Sequence, residues 1–133
     1  MFSPYDLNPM GFNPLRGLLE GQVDFERLNR TALPCVHVTA TNVRTGRSRV
    51  FSTGELKVDA VLASACLPQM FPAVEIDGEY YWDGGFTGNP ALYPLLKNRL
   101  SPDIVVLEVN PLVRHEPPRS ARDNSGKSTV ATA

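Results

Sequence analysis

The run Tyr80-Tyr81-Trp82-Asp83-Gly84-Gly85 constrains the fold more than any other part of the chain. Large aromatic side chains pack well on the half-buried face of a sheet, so the run favours a strand. The two glycines after it permit a sharp turn and a close backbone approach that a Cβ would prevent. Asp83 is therefore expected at the mouth of a sheet, where a carboxylate can accept or orient a proton. Asp-Gly is also the commonest hairpin signal, and these six residues alone favour a plain turn.

The other patterns predict an α/β protein. Residues 3–20 are rich in Pro and Asn, which predicts an irregular segment followed by a short helix. The apolar residues 104–109, between two prolines, are typical of a strand buried on both faces of a parallel sheet. Helices alternating with such strands indicate a three-layer architecture. The predicted strands are 34–43, 49–51, 74–76, 79–82 and 104–109, and the predicted helices are 15–19, one capped by Asp24, 58–66 and 89–96.

Several short motifs, in their order and spacing, resemble a patatin-like phospholipase domain over residues 3 to about 122. The motifs are Ser3-Pro4-Tyr5-Asp6-Leu7-Asn8-Pro9, residues 36–46, Ala63-Ser64-Ala65-Cys66-Leu67-Pro68, Phe71-Pro72-Ala73-Val74, Tyr81-Trp82-Asp83-Gly84-Gly85 and Gly88-Asn89-Pro90. That family consists of serine acyl hydrolases that use a Ser-Asp dyad. The resemblance implies a three-layer α/β/α fold, a lipid or ester substrate, and Asp83 as the dyad aspartate, supported by Gly84 and Gly85 in the family's D-G-G/A motif.

Two motifs of the family have no counterpart in this sequence: the G-x-S-x-G elbow that carries the nucleophile and the glycine-rich oxyanion loop. The nearest match to the elbow, around Ser48, lacks the second glycine and lies between two predicted strands, whereas an elbow needs a strand-to-helix turn. Ser48 is therefore expected to be a surface turn residue. We expect residues 1–113 to form the C-terminal part of a catalytic domain whose first half is absent, and residues 114–133 to form a polar, disordered tail. The alternative is an inactive fragment or a lipid- or protein-binding module of the same fold.

The composition of the chain limits the classes of partner that it is expected to bind. The net charge of −1 provides no basic field for nucleic acid, and Gly126-Lys127-Ser128 lacks the first glycine of a P-loop. The apolar runs are shorter than the ~20 residues that span a bilayer, and no secretory signal is visible, so a cytoplasmic location is expected. Exposed sheet edges favour self-association. One predicted hairpin carries a cluster of three arginines, Arg44, Arg47 and Arg49. This cluster predicts a solvated face, and the alternative is contact with lipid phosphates at a membrane surface.

The sequence settings of the remaining reactive residues favour structural roles for them, and no cofactor or metal is expected. His37 lies in a predicted strand, His115 begins the polar tail, and two isolated histidines do not give a metal-site spacing. Cys35 and Cys66 lie in apolar settings and are expected to be buried free thiols. Asp77 is predicted to be a turn residue, and the sequon at Asn29 is expected to be irrelevant.

The missing motifs predict that the isolated chain does not hydrolyse p-nitrophenyl esters above background. Release of nitrophenol, followed at neutral pH, is the measurement. Turnover that survives Ser48→Ala and disappears with Asp83→Asn would reveal a nucleophile other than Ser48 within the chain.

Overall fold

The computed structural model describes residues 3–8, 10–88, 92–98, 103, 105–108 and 129–132. The chain divides into two compact units, Met1–Leu96 and Lys97–Ala133. The helices are α1 (Pro4–Leu7), α2 (Pro14–Gln22), α3 (Phe25–Arg30), α4 (Val58–Ser64) and α5 (Tyr93–Asn98), with a 3-10 turn at Gly84–Phe86. The strands are β1 (His37–Asn42), β2 (Ser48–Ser52), β3 (Val74–Ile76), β4 (Glu79–Asp83), β5 (Val105–Glu108) and β6 (Thr129–Thr132).

The first unit is built on a four-stranded antiparallel sheet with the order β2-β1-β4-β3. The β3–β4 hairpin turns at Asp77 and Gly78, whose φ angles of 55° and 77° suit the tight two-residue turn that matches strand twist. The two hairpins join where β1 pairs with β4, and there Ala40 lies opposite Asp83. Asp83, the last residue of β4, is thereby fixed against the middle of β1.

The core of this unit lies between the sheet and α4. Its fully buried members are Ala40, Phe51, Leu56, Ala60, Ala63 and Tyr81. The Phe51 and Tyr81 rings meet edge to face, with their centroids 5.7 Å apart. The Arg49 guanidinium lies over the Phe51 ring and donates a hydrogen bond to the Tyr81 hydroxyl at 3.0 Å. A cation over one ring and an edge-to-face pair both add to the gain from burial.

The mixed helix and strand content predicted from sequence is confirmed, including both hairpins and α4. Asp24 caps α3 as expected, since its carboxylate accepts the Arg27 N–H at 2.9 Å. Helix α1 was missed, although Ser3 and Asp6 form a reciprocal capping box that the sequence displays. Helix α5 begins at Tyr93, later than the predicted start at Asn89, and residues 89–91 lie outside the described part of the chain.

The prediction of a parallel, doubly buried strand at residues 104–109 is wrong. Strand β5 pairs antiparallel with β6, and the side chains of Val105 and Leu107 are 64% and 63% exposed. An apolar run shows strand propensity, but burial depends on the layers that pack on it, which the run does not specify. Within the expected tail the structure describes Thr129–Thr132, which form β6, and residues 114–128 and 133 lie outside the described residues.

A helix needs about 20 predominantly apolar residues to cross a bilayer. Among the described residues, no helix combines the length and the apolar character needed to cross a membrane.

Asn29 ties α3 to the loop that leads into α4. Its side-chain oxygen accepts the N–H groups of Gly54 and Leu56 at 2.9 and 3.0 Å, and its amide donates to the Leu56 carbonyl at 2.8 Å. Three loop groups are therefore satisfied by one side chain, directly beside the fully buried Leu56.

Asn29→Ala is expected to lower the free energy of unfolding by about 2–3 kcal/mol, because the part-buried N–H and carbonyl of Leu56, together with the exposed Gly54 N–H, lose their partner. Asn29→Asp keeps the two accepted bonds and should lose less. Glu26→Gln, which removes only an exposed ion pair to Arg30 on the same helix, is the control and should cost less than about 0.5 kcal/mol. Urea unfolding of the three variants checks this, and equal losses for Asn29→Ala and Glu26→Gln would contradict it.

Candidate active site around Asp83

Asp83 is the last residue of β4, and hydrogen bonds hold its backbone from two sides. Its N–H donates to the Cys66 carbonyl at 3.0 Å, and its carbonyl accepts the Thr41 hydroxyl at 2.9 Å. The Thr41 hydroxyl lies 3.2 Å from that of Thr87, which donates to the Gly84 carbonyl at 3.2 Å. The backbone at Asp83 is therefore tied to β1, to the loop after α4 and to the turn that follows.

The carboxylate of Asp83 caps the 3-10 turn. Its Oδ1 accepts the Gly85 N–H at 2.8 Å, as a side-chain oxygen does at a helix N-terminus. The side chain is half-buried. One oxygen is thus oriented by the backbone two residues ahead, so the direction of the carboxylate follows from the turn.

Gly84 and Gly85 each lie where a side chain would be crowded, but by different neighbours. A Cβ on Gly84 would lie 2.3 Å from the Thr39 carbonyl oxygen and 2.6 Å from its hydroxyl, so a side chain there would collide with β1. A Cβ on Gly85 would lie 3.1 Å from Oδ1 of Asp83 and would press on the carboxylate itself. The close backbone approach expected from the sequence is the one between Gly84 and β1.

Asp83 faces a cleft of about 460 Å³. Polar and apolar groups share its lining: His37, Thr39, Ser64, Asp83, Gly84, Gly85 and Gly88, together with Val38, Leu92 and Leu95. A carboxylate held at a turn and an apolar wall are the combination expected of a site for an amphipathic small molecule.

His37, Ser64 and Asp83 share this cleft and are the residue types of a serine triad, yet each is bonded elsewhere. His37 Nδ1 lies 2.8 Å from the Ser52 hydroxyl, and the Ser64 hydroxyl donates to the Val61 carbonyl at 2.7 Å. In the described part of the chain no hydrogen bond joins these three side chains, so they form no proton relay. Ser64 was not predicted to be a cleft residue, because its place at the end of α4 becomes significant only after α4 has packed on the sheet.

Cys66 lies behind Asp83. Its side chain is fully buried, and its thiol donates to the Pro72 carbonyl at 3.2 Å. Burial, and then the nearby charge of Asp83, raise the pKa of the Cys66 thiol. The prediction of a buried free thiol is confirmed for Cys66 and wrong for Cys35, which is free but exposed because it precedes β1 and is not covered by the sheet.

The other candidates lie away from the cleft. Ser48 is exposed as expected, but it is the first residue of β2, paired with Thr41, and not a turn residue. Asp77 occupies the β3–β4 turn as expected. Arg44 pairs with Glu79, and Arg49 pairs with Asp77 at 2.8 Å, so two of the three arginines have partners within the chain. His115 and residues 126–128 lie outside the described residues. Within the described part of the chain, no cluster of three His, Cys, Asp or Glu side chains could hold a metal ion.

The model of the patatin-like phospholipase family matches residues 8–96, about two thirds of the chain. The match contains the whole four-stranded sheet, the Asp83 turn and the cleft. The chain belongs to the patatin-like phospholipase family. Neither the comparison with curated proteins nor the comparison with solved structures gave a match.

Gly84→Ala is expected to lower the free energy of unfolding by about 2 kcal/mol or more, because the added methyl group overpacks the contact with Thr39. Gly17→Ala, in α2 with open space around its Cβ position, is the matched control and should stabilise by about 0.5–1 kcal/mol. Thermal and urea unfolding measure both. A Gly84→Ala protein as stable as the original chain would show that this contact is not tight.

Proposed function

We propose that this chain contributes the aspartate of a Ser-Asp dyad to a lipid acyl hydrolase, with Asp83 as the general base for a serine outside the present sequence. The observation that carries the proposal is the Asp83 carboxylate, held by the Gly85 N–H at the edge of a cleft. Membership of the patatin-like phospholipase family supports a lipid ester as the substrate.

The proposed chemistry is a two-step acyl transfer. Asp83 takes the proton from the serine hydroxyl as the serine oxygen bonds to the ester carbonyl carbon, and the alcohol leaves with a proton from Asp83. Water then attacks the acyl-serine and loses a proton to Asp83, the bond between the acyl carbon and the serine oxygen breaks, and that oxygen takes the proton back from Asp83 as the fatty acid leaves. Backbone N–H groups of a glycine-rich loop outside this sequence stabilise the charge on the carbonyl oxygen.

Asp83 suits this role because of how it is fixed. The turn orients the carboxylate through Gly85, while Cys66 and Thr41 fix the backbone. A base that is already oriented loses little freedom when the substrate binds. The apolar side chains of Val38, Leu92 and Leu95 offer the cleft's contact with an acyl chain.

We further propose that the four-stranded sheet and its helices belong to the C-terminal part, residues 1–113, of a three-layer α/β/α domain in the cytoplasm. The exposed apolar side chains of Phe86, which is 59% exposed beside the Asp83 turn, and of Leu95 and Leu96 in α5 are here called the apolar rim, and they suit peripheral contact with a lipid surface. The outer edges of β2 and β3 suit self-association.

The alternative is a binding module without turnover. Family membership and the apolar rim fit it equally, whereas the oriented carboxylate favours a catalytic role, because lipid binding alone does not need one. A G-x-S-x-G sequence encoded upstream of Met1 would favour the enzyme.

In the longer gene product that carries the serine, Asp83→Asn is expected to lower kcat at least ~100-fold, the usual scale for losing a general base. The amide oxygen can still accept the Gly85 N–H, so the thermal midpoint should change little. Hydrolysis of p-nitrophenyl esters and of phospholipid vesicles gives the rates.

Asp77→Asn is the matched control. Asparagine tolerates the positive φ of this turn, and the substitution removes a charge that pairs with Arg49, so the rate should remain nearly intact. Equal rates for the two variants, or unfolding of Asp83→Asn, would mean that Asp83 is a structural turn residue. Vesicle binding by a longer protein that lacks turnover would support the binding module.

A further inference from the structure

Cys35, His37 and Ser52 form a hydrogen-bonded row at one end of β1. The Cys35 Sγ lies 3.5 Å from Nε2 of His37, and Nδ1 of the same ring lies 2.8 Å from the Ser52 hydroxyl. His37 and Ser52 are directly opposite each other in the β1–β2 pair. The sheet therefore holds the imidazole between an exposed thiol and a hydroxyl.

Both contacts fit one tautomer of the imidazole. With the ring proton on Nδ1, Nε2 can accept from the Cys35 thiol while Nδ1 donates to the Ser52 hydroxyl. A nucleophile within reach of a base that a third group orients is the general arrangement of an activated nucleophile. The thiolate is the reactive form of cysteine, and a neighbouring imidazole that takes the thiol proton produces it.

The chain's second cysteine provides an internal contrast. Cys66 is fully buried, and its thiol is directed to the Pro72 carbonyl. Cys35 is exposed to solvent and has a base beside it. The two thiols of one chain therefore differ in access and in the availability of a proton acceptor.

We propose that Cys35 is a thiol-modification site at which His37 accepts the thiol proton, and that its reaction partners are small-molecule disulfides. The proton moves from Sγ to Nε2, and the thiolate attacks one sulfur of the disulfide. A new S–S bond forms, the original S–S bond breaks, and the departing thiolate takes the proton back from His37. The products are a mixed disulfide on Cys35 and one free thiol.

The modified side chain would be next to the Asp83 cleft. His37 contacts the Cys35 sulfur and also lines that cleft, so an adduct on Sγ lies within reach of the candidate active site. This site does not depend on the dyad, since none of its three residues takes part in the chemistry proposed for Asp83.

The test is disulfide exchange on the full chain with dithionitrobenzoic acid and with oxidised glutathione, followed by absorbance and intact mass. One thiol should react rapidly in the native protein, Cys35→Ser should abolish that phase, and Cys66→Ser should preserve it. His37→Gln should slow the phase roughly tenfold or more at pH 7, because the proton acceptor is lost. At pH 9.5 a free thiol ionises without help, so the effect of His37→Gln should shrink.

Two controls separate chemistry from folding. In urea-unfolded chains the original protein and His37→Gln should react at equal rates, because the base is no longer held by the sheet. Ser52→Ala keeps the imidazole but removes its orienting partner and should slow exchange less than His37→Gln. If His37→Gln does not fold, the Ser52→Ala rate decides.

Several outcomes would overturn the proposal. They are a native Cys35 that reacts no faster than the unfolded thiol, an equal slowing by His37→Gln at both pH values, and a reactive phase that depends on Cys66. If His37→Gln does not fold, a Ser52→Ala rate equal to that of the original chain would also overturn it.

Discussion

The contact between Gly84 and the backbone of β1 is the constraint on which the rest of the site depends. The turn after β4 can lie against Thr39 only because Gly84 has no side chain. That approach places Asp83 opposite Ala40, brings its carbonyl to the Thr41 hydroxyl, and leaves the carboxylate to cap the turn through Gly85. A larger residue at position 84 would shift all of these contacts together.

The cleft is assembled from parts that are far apart in sequence. Strand β1 supplies His37 and its neighbours, the end of α4 supplies Ser64, the end of β4 supplies the carboxylate, and the segment before α5 supplies Leu92. Close-packed interiors transmit small displacements, so the position of each part depends on the others. Family membership and this arrangement together support the proposed role of Asp83, because a carboxylate acts as a base only where the fold directs it.

The local features of the fold were predictable from the sequence. Period-two alternation and the Asp-Gly turn at residue 77 are short-range signals, and they led to the correct hairpins. The Ala-rich apolar run at residues 58–66, with Asp59 in its first turn, predicted α4. The environment of β5 was not predictable in this way, because an apolar run does not specify what covers it. The need for glycine at position 84 was expected, but its partner Thr39 is 45 residues away and emerges only from the β1–β4 register. Likewise, Cys35 and His37 are visible as near neighbours in sequence, whereas Ser52 joins them only through strand pairing.

The strand order β2-β1-β4-β3 has a consequence for how the chain folds. The β1–β2 and β3–β4 hairpins join neighbouring segments, and hairpins of this kind close within microseconds. The β1–β4 pair joins residues about 40 positions apart, so it carries a larger loop-closure entropy and is expected to form later. Because Asp83 pairs with Ala40 in that ladder, the candidate base reaches its position only when the two halves of the sheet join, and a folding intermediate with both hairpins formed would still lack the site.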